Sequence, residues 1–138
     1  MTALLSAAAF TWFGMVLAIS FVEAPLKFRA PGVTIPIGLG IGRIVFRALN
    51  GLELLLAIVV VVAVLGNSPS TLVLVSALVP VGVLVVQLAA VRPALNRRSD
   101  RVLAGEDAPR SRAHLGYVAL EVVKVAALLW LGVGASIA

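Results

Sequence analysis

The chain has 138 residues, 62% of them hydrophobic and 12% charged, against roughly 45–50% and 25% in soluble globular chains. That balance excludes an ordinary water-soluble domain. Eleven Lys and Arg against six Asp and Glu give a formal charge of +5, and with no Cys in the sequence there is no disulfide framework, thiolate metal site or thiol nucleophile.

Four apolar stretches succeed one another, each near the ~20 residues a helix needs to cross ~30 Å of hydrocarbon. They predict an all-α polytopic membrane protein, a single four-transmembrane-helix bundle with spans at about 3–23, 36–66, 72–91 and 114–137 and a polar link at 92–113. Membrane β-strands alternate apolar and polar residues over ~10 positions, whereas the run from Leu54 to Val62 is apolar on every face.

The first span has no basic leading segment, and its small residues Ser6-Ala7-Ala8-Ala9 precede the apolar core. It is therefore expected to stay attached and not to be cleaved as a secretion signal. Trp12, Phe13 and Trp130 read as lipid or interface anchors. In the second element Thr34 is placed to cap a helix with Pro36 in its first turn. Continued to Leu65, that helix is ~46 Å long, so its first turns belong in the headgroup region. Gly38 and Gly42 form a small-xxx-small pair suited to close helix contact. Asn67-Ser68-Pro69-Ser70 links to the third span, where Pro80 removes a backbone donor and predicts a kink. Six Arg against Asp100, Glu106 and Asp107 make the 92–113 link a solvated connector with some helix, placed against anionic lipid.

The basic residues fix an expected orientation. Lys27, Arg29, Arg43 and Arg47 flank the first link, and Arg92, Arg97, Arg98, Arg101, Arg110 and Arg112 occupy the third. The positive-inside rule then puts both links in the cytoplasm and both termini in the periplasm of a bacterial inner membrane. The positive charge thus reads as topology and lipid contact, with membrane lipids and their anionic headgroups as partners and no nucleic acid.

Glu53, Glu121 and Lys124 fall inside spans, where an unpaired charge costs about 2.5–3.5 kcal/mol. On the fourth span His114, Tyr117, Glu121 and Lys124 recur at spacings of three and four, and on the second so do Arg43, Arg47, Asn50 and Glu53, which aligns each set on one helix face. Facing the two stripes brings Glu53 toward Lys124 and Arg47 toward Tyr117 and Glu121. Glu23, Lys27 and Gln87 can add to the cytoplasmic rim. One reading makes these residues structural pairs holding register; the other makes them the lining of a cytoplasm-facing cleft, formed mainly by helices two and four, that binds a solute or exchanges protons. Arg43 and Arg47 would attract an anion or a lipid phosphate.

No metal, haem or other cofactor is expected: the Glu-x-x-His pairs of di-iron bundles are missing and His114 is the sole histidine. The glycine-rich turn before Arg43 lacks a preceding strand and a Gly-Lys-Ser/Thr sequence, which argues against nucleotide binding.

The stretches Phe21-Val22-Glu23-Ala24-Pro25-Leu26-Lys27-Phe28-Arg29-Ala30-Pro31-Gly32 and Gly38-Leu39-Gly40-Ile41-Gly42-Arg43-Ile44-Val45-Phe46 resemble a group of uncharacterised small bacterial four-helix membrane proteins. That resemblance implies fold and membrane location and carries no functional residue. The Glu23–Lys27 region is also similar to small multidrug resistance exporters, four-helix dimers with one essential membrane carboxylate; Glu23 lies at a span's end where theirs is mid-helix, so the site does not transfer. The functional expectation is a small inner-membrane protein, assembling as a homodimer, that binds or translocates a small anionic or proton-coupled solute. A non-transporting scaffold or accessory subunit is the alternative, and an enzyme acting on a lipid or quinone the third; enzymatic activity is the lesser expectation.

Overall fold

The computed structural model describes residues 2–107 and 112–137, so Arg110 of the basic link lies outside the described residues. Among those described, four helices are long and apolar enough to cross a membrane: α1 (Thr2–Arg29), α2 (Ile35–Leu65), α3 (Thr71–Leu103) and α4 (Arg112–Ile137). No strand occurs among these residues.

The starts and stops obey local chemistry. Before α2 the chain turns at Gly32, whose φ of +82° is open to glycine without a Cβ penalty. Thr34 then caps the helix, its Oγ1 accepting from the Ile37 N–H at 3.3 Å, with Pro36 in the first turn. Ser70 does the same for α3, accepting from Val73 N–H at 3.3 Å. The third helix does not stop where its apolar run ends. It continues through Arg92–Leu103 and closes at Gly105, φ +92°, where the Glu106 N–H donates to the Arg101 carbonyl at 3.0 Å. At 33 residues α3 is ~50 Å long, more than the ~30 Å a membrane span requires, and its arginine-bearing turns make up the excess.

α4 packs along α1 on one side and α3 on the other, and α2 completes the square by touching α1 and α3. Helices α2 and α4 are therefore diagonal. Residues that the sequence places on facing stripes of these two helices meet across the bundle axis and not along a packed seam. Toward the ends distant from the basic links the centre is apolar, filled by Leu5, Ala9, Trp12 and Val16 of α1, Val60 and Val64 of α2, Leu84 of α3, and Leu128 and Leu131 of α4. The spacing of three and four along α1 is the one that keeps a single face inward. The outer faces are equally apolar: Ile44 is 74% exposed, Leu65 79% and Leu115 69%. In water that surface would be an aggregation liability; in hydrocarbon it needs no cover.

The last turns of α1 press into the first turns of α2. A Cβ on Gly38 would collide with the Phe28 ring, and one on Gly42 would lie 2.9 Å from Lys27 Nζ. The two glycines thus admit side chains of α1, which sets the approach of these helices on the basic side.

Candidate functional site

At the bundle centre Lys124 Nζ lies 2.5 Å from Glu53 Oε2 and 2.5 Å from Glu121 Oε1. It also donates to Gln87 Oε1 at 2.7 Å. Gln87 Nε2 in turn donates to Glu121 Oε1 at 2.8 Å, Ser20 Oγ to Glu121 Oε2 at 2.5 Å, and Trp12 Nε1 to Glu53 Oε2 at 2.7 Å. Each helix contributes: Trp12 and Ser20 from α1, Glu53 from α2, Gln87 from α3, Glu121 and Lys124 from α4. Glu53 and Lys124 are fully buried and Glu121 is 1% exposed, so the site is a closed ionic core and not an open cleft.

Both odd-numbered helices change winding at this level. Leu17–Glu23 of α1 and Gln87–Val91 of α3 are π-helical. A π turn takes an extra residue and rotates the helix beyond it, and such turns concentrate at functional sites. Ser20 and Gln87, which stand in these segments, both donate to Glu121. The core is accordingly built by all four helices, which corrects the expectation of a site formed mainly by the second and fourth.

One turn toward the basic links lies a second polar layer. Arg92 Cζ sits 4.9 Å from the Phe46 ring centroid and 4.7 Å from that of Tyr117, and the two rings meet edge to face with centroids 5.9 Å apart. Lys27 Nζ lies 5.8 Å from the Phe46 centroid and 3.7 Å from Glu23 Oε2. Again every helix contributes a side chain.

The expected pair Glu53–Lys124 forms. Arg47 does not reach Glu121 or Tyr117: it is exposed, Lys124 takes Glu121, and Arg92 of α3 covers Tyr117. A diagonal partner could be reached from α2 only across the axis, whereas α3 lies beside α4. Gln87, expected near the rim, is 2% exposed and inside the ionic core. Arg43 is engaged by Asp100, Nη2 to Oδ1 at 2.5 Å, tying α2 to the extension of α3. Asn50 and His114 are half-buried, and Glu23 pairs with Lys27. Trp12 is not a lipid anchor, since it is fully buried. It stands mid-span, away from the interfaces where tryptophan belts form, and its indole N–H needs a buried acceptor, which Glu53 supplies. That requirement was the signal in the sequence that could have found it. Ser20 stands four residues after Val16 on the face that carries Leu5, Ala9 and Trp12, so its spacing offered the same kind of signal.

Among the described residues no three His, Asp or Glu side chains gather to hold a metal ion. An open groove bordered by Ser6, Phe10 and Ser136 lies at the opposite end of α1 and α4 from the basic links, remote from the ionic groups. Chemically, the core combines two carboxyl groups with one ammonium, so full ionisation leaves one negative charge uncompensated and one added proton makes it neutral. Among the described residues Glu53 Oε1 is buried without a hydrogen-bond partner. Comparison of the chain with protein-family models, curated proteins and solved structures finds no match.

Proposed function

We propose that the protein is a multi-pass protein of a bacterial inner membrane, with both termini periplasmic, that binds and translocates a small solute in a proton-linked cycle. The observation that carries this reading is the buried excess of one carboxyl group over ammonium in a core shared by four helices. Burial penalises an uncompensated charge by several kcal/mol, and uptake of a proton relieves it. Glu53 Oε1, the one carboxylate oxygen of the core without a partner among the described residues, is the atom that takes the proton. Proton gain or loss then changes what Lys124 must pair with, and the π turns beneath Ser20 and Gln87 are the segments that adjust. Four helices enclose little volume, so the path for the solute is completed by a second copy of the chain.

The test is reconstitution into proteoliposomes holding a trapped pH-sensitive dye, with an inward gradient of inorganic phosphate. Proton movement is expected in the native protein and is lost in Glu53→Gln and Glu121→Gln variants that still run as folded species. If the native protein moves no protons under any imposed phosphate or pH gradient, the proposal fails. A scaffold or accessory-subunit role is favoured by a different observation, the sealing of all three ionic groups from solvent. Recovery of the protein in stable stoichiometric association with a larger membrane complex would establish it.

A further inference from the structure

The layer above the ionic core holds polar groups whose chemistry the core does not use. Among the described residues, Nε and Nη2 of Arg92 are both buried without a hydrogen-bond partner, and so is the hydroxyl of Tyr117, a residue only 7% exposed. Buried donors left unpaired are costly, and charged ones more so. Nε and Nη2 share one edge of the planar guanidinium, the edge that takes two oxygens of a phosphate or carboxylate side-on. The guanidinium carbon lies 4.9 Å from the Phe46 ring centroid and 4.7 Å from that of Tyr117, so the two aromatic rings confine the group, and among the described residues no carboxylate forms a salt bridge with it. Lys27 adds a second cation beside the same Phe46 ring at 5.8 Å.

Within the layer itself cations outnumber carboxylates, while the core below holds two carboxyl groups against one ammonium. Glu23 is the carboxylate at this level; its Oε2 is itself buried without a hydrogen-bond partner among the described residues and stands 3.7 Å from Lys27 Nζ, beyond ordinary hydrogen-bond length. Glu121, one turn deeper, is occupied by Lys124, Gln87 and Ser20. Arg92 and Lys27 against Glu23 leave one positive charge in the layer.

We infer that Arg92 and Tyr117 form an oxyanion site on the basic side of the bundle, binding the phosphate of a free solute or of a lipid headgroup through the Nε–Nη2 edge and the phenol, with Lys27 as an additional cation. The inference rests on the functional reading above only in identifying the free oxyanion with the translocated solute. The binding geometry is independent of proton movement.

The experiment is thermal unfolding of the purified full-length protein in neutral detergent with inorganic phosphate against chloride at matched ionic strength. Alongside it, native mass spectrometry tracks the protein after exposure to phosphatidylglycerol or phosphatidylcholine. Stabilisation by phosphate identifies a free oxyanion; retention of phosphatidylglycerol without a phosphate effect identifies a headgroup. In either case Tyr117→Phe, which keeps the ring under Arg92, should weaken binding about 10-fold, as expected for losing a hydrogen bond to a charged group. Arg92→Gln should abolish it. The site is overturned if neither probe binds, or if either binds equally well to both variants. Binding that persists in Glu53→Gln while proton movement is absent from the native protein would sink the transport reading and leave this site standing. Proton movement without phosphate or lipid binding would do the reverse.

Discussion

The two polar layers use the same kinds of residue and differ in how they are satisfied. In the ionic core, Lys124 is met by Glu53, Glu121 and Gln87, and the other donors, Trp12, Ser20 and the Gln87 amide, converge on the same two carboxylates. In the aromatic layer one turn away, Arg92 Nε and Nη2 and the Tyr117 hydroxyl are buried without a hydrogen bond of ordinary geometry among the described residues, the phenol and the guanidinium lying beside each other. Coulomb attraction in a medium of low dielectric makes the first arrangement a lock. The second uses its aromatic surface to position a cation, and leaves the cation's hydrogen-bonding edge for something else. Burial alone does not separate the two layers; the kind of group left over does, one carboxylate oxygen of Glu53 in the core against the Arg92 and Tyr117 donors in the aromatic layer.

The largest expected effect is on the lock. Lys124→Met leaves Glu53 and Glu121 facing each other without a cation, and breaking a buried pair by removing one partner costs about 3–5 kcal/mol. Loss of folded protein after detergent extraction is expected, measured as monodisperse yield and melting temperature. Adding Glu53→Gln and Glu121→Gln to Lys124→Met should restore much of that loss, because neutral partners of similar shape carry no uncompensated charge. Failure of the triple variant to recover would mean that the core is held by shape and not by charge balance, and the contrast between the layers would lose its basis.

Trp12→Phe tests the same layer more gently. It keeps an aromatic ring in the core and removes only the donor to Glu53 Oε2, a charge-assisted hydrogen bond of 2.7 Å whose loss should cost about 1.5–3 kcal/mol. A melting temperature unchanged within error would show that the carboxylate does not need the indole.

The helices and the meeting of Glu53 with Lys124 were legible because both depend on periodicities that a sequence displays: apolar length against membrane thickness, and polar residues at spacings of three and four. The features that lay hidden have two physical causes. The order of helices around the square decides which cation reaches Tyr117, and nothing in the spacing of Arg43 and Arg47 reports that α3 and not α2 lies beside α4. Winding is the second. The π segments at Leu17–Glu23 and Gln87–Val91 shift the phase of the residues that follow them, so a wheel drawn at 3.6 residues per turn loses register beyond Gln87. Arg92 was hidden for a related reason: it comes directly after the apolar run and reads as the first residue of a solvated link, yet α3 continues through it and keeps it inside the bundle's basic end.

The smallest effect is expected in the aromatic layer, and it is the one that sharpens the contrast. Phe46→Leu retains an apolar side chain but removes the ring shared by Arg92 and Lys27. A cation over an aromatic face contributes about 0.5–2 kcal/mol depending on desolvation, so a loss of about 1 kcal/mol in thermal or denaturant unfolding is expected, less than for Trp12→Phe. The same substitution lets the guanidinium tilt, so that phosphate or phosphatidylglycerol binding falls more steeply than stability does. If Phe46→Leu instead destabilises the protein more than Trp12→Phe and leaves binding untouched, the upper layer is cement and the lower one is the looser of the two. A ligand site can lose its ligand and remain folded, whereas a lock cannot lose its key residue; the order of these two melting temperatures decides which layer is which.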